Sequence, residues 1–90
     1  MDLTCQQVRA IQAWAEAAGY AREVRLFGSR AKGCARPDSD VDLAITAGFE
    51  HYVARANAWE AELSQTLGLI VHMKQYNSPS DECCVVLFSV

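Results

Sequence analysis

Apolar residues recur at steps of three and four near the start of the chain. Val8, Ile11, Ala15 and Ala18 would share one helix face, and Gly19 supplies a stop. Thr4 with Gln7 forms a capping-box pattern in front of that run, which predicts a helix beginning just after Thr4. The period then falls to two. Val24 and Leu26 alternate with Glu23, Arg25 and Phe27, predicting a strand over Glu23–Phe27. Val41, Leu43 and Ile45 alternate against Asp40, Asp42 and Ala44, predicting a second strand whose polar face carries both acids. After Gly48 the helical period returns in Tyr52, Ala56, Trp59, Leu63 and Leu67, a longer stripe that Gly68 ends. Leu69–Tyr76 reads as a third strand, with Ile70, His72 and Lys74 on one face and Leu69, Val71 and Met73 on the other. Asn77-Ser78-Pro79-Ser80-Asp81 should turn the chain, and Cys84–Val90 is an apolar fourth strand. The order is helix, strand, loop, strand, helix, strand, strand. It predicts an α+β fold: a small mixed α/β sheet with both long helices on one face, and the connection from Gly28 to Asp40 with the acidic strand on the other.

Composition narrows this picture. Ninety residues, 51% of them apolar, can bury one modest core, so a single domain over residues 1–90 is expected, and no linker, repeat or low-complexity segment divides it. With 8 basic and 11 acidic residues the formal charge is −3. No general positive field exists to hold a nucleic-acid backbone, so a nucleic-acid partner is disfavoured and any anion binding must be local. The opening MDLTCQQVRA carries Asp2 and lacks an apolar core, unlike a signal peptide, and no apolar run approaches the roughly 18 residues of a spanning helix. A cytoplasmic protein without membrane contact is expected. Cys5, Cys34, Cys83 and Cys84 include no C-x-x-C zinc pair and are read as free thiols. The segment Cys83–Val90 has no charge after Glu82, which leaves an edge strand ready to pair with a second copy of the chain or with a partner.

The stretch FGSRAKGCARPDSDVDLAI, Phe27 to Ile45, holds the candidate chemistry. Asp40 and Asp42, two residues apart on a strand, would leave one face about 7 Å apart, close enough to grip divalent cations together. A hard ion such as Mg²⁺ takes oxygen ligands and keeps positions open for water and substrate phosphates. Gly28 follows the first strand directly, where a missing Cβ lets the backbone approach a phosphate, and Ser29 adds a hydroxyl and an N–H. Arg30, Lys32 and Arg36 place positive charge beside them in an acidic protein. Taken singly, a D-x-D pair is more often a solvated polar face, Gly-Ser is usually a turn, and three basic residues are a solvated loop. Their order, bracketed by two apolar strands, is what points to metal-assisted phosphoryl or nucleotidyl transfer.

GSRAKGCARPDSDVDLAI resembles the signature of the DNA polymerase β-type nucleotidyltransferase superfamily, and in particular its minimal nucleotidyltransferases, through Gly28, Ser29, Arg30, Ala31, Gly33, Ser39, Asp40, Asp42 and Leu43. The resemblance implies one minimal nucleotidyltransferase domain over residues 1–90. It implies that Gly28 and Ser29 hold the triphosphate of an NTP, with ATP expected, that Arg30 adds a phosphate contact, and that Asp40 and Asp42 hold Mg²⁺. The implied activity is transfer of a nucleoside monophosphate, AMP in particular, to a hydroxyl of a protein or small molecule. It also implies a toxin–antitoxin setting in which the partner is a small helical HEPN-type protein.

One position departs from that signature. Active members carry a third carboxylate on the strand after the long helix, in a pattern like L-G-x-x-V-D-L-V, whereas this chain reads LGLIVHMKQY and places His72 there. His72 is a third candidate catalytic residue, facing the carboxylates. It could ligate a transition metal such as Mn²⁺ or act as a base near neutral pH, it could be an ordinary polar residue on a half-exposed strand, or it could mark a lost activity. Lys74 beside it weakens divalent-metal binding. Two functions therefore stand: an enzyme using Gly28, Ser29, Asp40 and Asp42, or a catalytically weak antitoxin-like subunit that neutralises its partner by contact.

Overall fold

The computed structural model describes residues 1–19, 21–76 and 84–90, the side chains of 49 and 51–53 excepted. The first helix, α1 (Cys5–Ala18), starts where the pattern placed it. Thr4 Oγ1 accepts from the Gln7 N–H at 3.1 Å, and Gln7 Oε1 accepts from the Thr4 N–H at 2.9 Å, so both halves of the capping box form. Ile11 and Ala15 are fully buried on its inner face. The long helix α3 (Phe49–Leu67) buries Trp59 and Leu63 against the same core. The Trp14 and Trp59 rings meet edge to face at 5.8 Å, and the Trp14 indole donates to Glu62 at 3.2 Å, joining the two helices. Tyr52, expected in this stripe, lies outside the described side chains.

Between them the chain forms β1 (Ala21–Phe27), α2 (Gly28–Lys32) and β2 (Val41–Ala47), and after α3 it forms β3 (Val71–Gln75) and β4 (Val85–Ser89). The sheet order is β3-β2-β1-β4. β1 runs antiparallel to both β2 and β4, while β2 and β3 are parallel, the connection between them being α3. The strands keep to their period of two: Val24, Leu26, Val41, Leu43, Ile45, Val71, Met73 and Leu87 join Ile11, Ala15, Trp59 and Leu63 in one core. Both long helices thus cover one face of a mixed sheet, as the one-sided stripes require. At β4 the period slips. Its register against β1 shifts between Val24 and Arg25, and Leu87 is buried while its neighbour Phe88 also packs against the core. The turn expected at Asn77–Asp81, and Cys83, lie outside the described residues.

One expectation is corrected: Gly28–Lys32 is a short helix rather than loop, and five residues are too few to display a helical period in sequence. Within the connection, Ala31 turns into the core and Arg30 is only 5% exposed. No helix among the described residues is long and apolar enough to cross a membrane. Cys5, Cys34 and Cys84 are free thiols.

Candidate active site

The site forms where β1 ends and β2 begins. Register brings Phe27 opposite Asp42, and Asp42 opposite His72, so the three side chains form one row across β1, β2 and β3 on the face away from the long helices. His72 Nε2 lies 3.0 Å from Asp40 Oδ2. One imidazole therefore adjoins both acids. Asp42 is half-buried, whereas the His72 and Asp40 side chains are 59% and 46% exposed.

Gly28 closes one end of the row for two physical reasons. Its φ of +73° falls in the left-handed region, which a side chain disfavours, and a Cβ built there would stand 2.5 Å from Asp42 Oδ2. The space a side chain would take is the space the Asp42 carboxylate occupies. A cleft of about 150 Å³ opens here, lined by Phe27, Gly28, Asp42, Leu43, His72, Met73 and Lys74. Of the residues expected from sequence, the cleft gathers Gly28, Asp42 and His72, with Asp40 attached through His72. Ser29 and Arg30 are not among its lining residues.

Arg30, for which the resemblance implies a phosphate contact, is engaged by backbone carbonyls. Its guanidinium donates to the Ser39 carbonyl through both Nε and Nη2, at 3.1 and 2.8 Å, to Pro37 O at 3.1 Å and to Asp2 O at 2.8 Å. Asp2 completes the arrangement, accepting from the Ala35 N–H at 2.9 Å while its own N–H donates to Arg30 O at 2.7 Å. A planar fork with five donors suits this convergence of carbonyls, and a side chain so engaged is a brace for the loop that presents Asp40. No spacing in the sequence links Asp2 to this loop, since the contact crosses 28 residues.

The rest of the polar face carries groups that sequence patterning placed there without a role. The Lys74 ammonium sits 4.5 Å from the centroid of the Phe27 ring, and the Arg25 guanidinium lies 4.8 Å from that of Tyr76. Phe27 and Tyr76 are themselves 6.3 Å apart. Arg25 also pairs with Glu23 and donates to Cys84 Sγ at 3.5 Å, and its pKa is raised chiefly by the Glu23 hydrogen bond. Among the described residues no group of three His, Cys, Asp or Glu side chains is drawn together tightly enough to hold a metal ion. The donors present, two carboxylates with open surroundings, suit a hard divalent ion completed by water and phosphate oxygens, not a closed protein cage.

The order of glycine, paired acids and crossover helix has a counterpart among known families. Residues 10–88 match the family described as "Polymerase beta, Nucleotidyltransferase". The chain belongs to the polymerase beta nucleotidyltransferase family. Within the solved structures, one described as "Crystal structure of the toxin-antitoxin with AMP-PNP" superposes with a TM-score of 0.76 at 21% identity, covering 92% of this chain and 73% of that one. At that identity the likeness speaks for the fold of this nucleotidyltransferase domain. No curated protein matches it.

Proposed function

We propose that this nucleotidyltransferase-family chain binds a nucleoside triphosphate, ATP in the first instance, together with Mg²⁺ or Mn²⁺. We further propose that it transfers the nucleoside monophosphate to a hydroxyl of a partner protein or small molecule. The observation that carries the reading is the convergence of Gly28, Asp42, His72 and Asp40 at the meeting ends of three strands, with Gly28 and Asp42 fitted to one another. A bound divalent ion would supply charge neutralisation of the phosphates at Asp40 and Asp42. In the transfer, the acceptor oxygen bonds the α-phosphorus, the bond from that phosphorus to the bridging oxygen breaks, and pyrophosphate leaves. The hydroxyl proton needs an acceptor. His72, whose Nε2 lies 3.0 Å from Asp40 Oδ2, is a side chain able to take it. A toxin–antitoxin role, with a small helical HEPN-type protein as acceptor in the cytoplasm, is supported by the neighbour's description and by the family resemblance.

A second reading, a catalytically weak subunit that acts on its partner by contact, is favoured by one observation: the His72 bond engages an oxygen that a metal would use. Single-turnover transfer from α-labelled ATP to the partner separates the two. Label transferred by the natural chain with Mg²⁺ or Mn²⁺, and lost in Asp42→Asn, supports the enzyme. His72→Asp supplies a carboxylate that can take the hydroxyl proton in place of the imidazole and add an oxygen ligand for the ion, and should raise transfer with Mg²⁺. No transfer by either chain, while a stable complex with the partner persists, would leave the contact reading standing.

A further inference from the structure

Of the two acids in the site, Asp40 lies just before β2, between two pinned peptide planes. The plane after it is fixed by the Val41 N–H, which donates to Ile70 O at 2.8 Å where β2 meets β3. The plane before it carries the Ser39 carbonyl, which accepts from both Nε and Nη2 of Arg30. Because a peptide unit is planar, fixing the Ser39 oxygen fixes the direction in which the chain enters Asp40, and the two planes together set where its side chain leaves the backbone. That side chain meets His72 Nε2 at 3.0 Å. The Arg30 fork is aimed in turn by Asp2, whose carbonyl accepts from Nη1 at 2.8 Å and whose N–H donates to the Arg30 carbonyl at 2.7 Å. The Asp2 carboxylate accepts from the Ala35 N–H at 2.9 Å, tying down the start of the same loop. Leu3 packs against the core and Thr4 caps α1, so the segment that bears Asp2 is itself anchored.

We propose that Asp2 is a positioning residue for Asp40: acting through Arg30, it sets the carboxylate that takes the divalent ion, and with it the affinity for a metal-bound nucleotide. The inference rests on the nucleotide reading above and adds to it a residue outside the cleft. Asp2 also precedes the matched span of residues 10–88, so the family match does not carry this role. The link is continuous, since each step from Asp2 to Asp40 is a hydrogen bond of 2.7–3.1 Å or a single peptide plane. Arg30 is 5% exposed, so water competes little for its donors and the fork stays where these carbonyls place it. The Asp40 side chain, by contrast, is 46% exposed. Packing holds it weakly, and the backbone must supply the placement that a metal ligand needs.

The test uses the whole chain and calorimetric titration with the non-hydrolysable analogue AMP-PNP and Mn²⁺, well below the melting temperature. Asp2→Ala removes the acceptor of the Ala35 N–H and should weaken AMP-PNP·Mn²⁺ by about tenfold, the low end of what loss of an outer contact costs a metal site. Asp2→Asn loses the same charge but keeps an acceptor oxygen, and should stay within about twofold of the natural chain. That pair separates placement from charge. Thr4→Ala, a neighbouring change that removes a bond of α1 rather than of the loop, should lower the melting temperature and leave the affinity unchanged. Arg30→Lys keeps the charge without the fork and should weaken binding at least as much as Asp2→Ala. Combined with Asp2→Ala it should lose little more, since the two residues act in series. If Arg30→Lys does not fold, the comparison of Asp2→Ala with Asp2→Asn and Thr4→Ala decides. An Asp2→Ala chain that binds as the natural one does, equal weakening by Thr4→Ala, or losses that add in the double variant overturns the role of Asp2 and leaves the nucleotide reading intact. No binding of AMP-PNP with Mn²⁺ by the natural chain overturns both.

Discussion

Replacing Gly28 with alanine should damage both stability and the site, by an amount the geometry fixes. The backbone contribution comes from holding a side chain at φ +73°, about 1–2 kcal/mol. The second contribution is contact. A Cβ 2.5 Å from Asp42 Oδ2 must open to at least 3.4 Å for ordinary packing, so the carboxylate has to retreat by 0.9 Å (3.4 − 2.5). Asp42 sits in the row between Phe27 and His72, and turning its carboxylate away displaces it from its place there, about 0.5–1.5 kcal/mol. The total is roughly 1.5–3.5 kcal/mol, a large fraction of the ~5–10 kcal/mol that holds a small domain. Gly68→Ala is the control, because Gly68 has φ +68° and a Cβ there meets nothing within 4 Å, leaving the backbone contribution alone. Urea unfolding followed by circular dichroism measures both, and the difference between them should vanish when Gly28→Ala is made in an Asp42→Ala background. Metal-dependent stabilisation by AMP-PNP should be lost in Gly28→Ala and kept in Gly68→Ala. Equal costs at the two glycines, with no coupling to Asp42, would refute the argument that Gly28 exists to admit that carboxylate.

Other expectations follow from the same coordinates. Arg30→Met should lower stability by about 3 kcal/mol by removing the buried guanidinium that donates to the carbonyls of Asp2, Pro37 and Ser39. That corresponds to a melting temperature lower by roughly 12 °C or more in scanning calorimetry, and Arg30→Lys should recover little, lacking the fork. Leu63→Ala, at a fully buried α3 position, should cost about 2–5 kcal/mol in denaturant unfolding without altering the metal dependence of AMP-PNP binding. Thr4→Ala should cost about 1 kcal/mol, because it removes the acceptor for the Gln7 N–H at the start of α1.

Much of the architecture was legible because it depends on local regularities. The Thr4–Gln7 box, the two apolar stripes and the alternation in Val24–Leu26, Val41–Ile45 and Val71–Met73 each commit a segment to a period, and a period commits one face to the core. That Asp42 and His72 share one face of the paired strands followed from the same parity, and His72 Nε2 lies beside Asp40. The Gly-Ser to Asp-x-Asp spacing pointed to the family that residues 10–88 match.

What the sequence could not decide were relations between residues far apart in the chain. Arg30 is a basic residue after a Gly-Ser pair, and only the tertiary structure brings the carbonyls of Asp2, Pro37 and Ser39 around it to brace the loop. Gly28 was legible as a glycine that something must approach closely, but that something is the Asp42 carboxylate, brought there by antiparallel pairing of β1 with β2. Lys74 read as a neighbour of His72 that opposes metal. That its ammonium lies over the Phe27 ring depends on the parallel β2–β3 register and on β2 lying between β1 and β3. Sequence period sets which face a side chain leaves from, because that is a property of a few consecutive backbone dihedrals. Which charges then share a cleft depends on strand order and register, which only packing of the whole chain fixes.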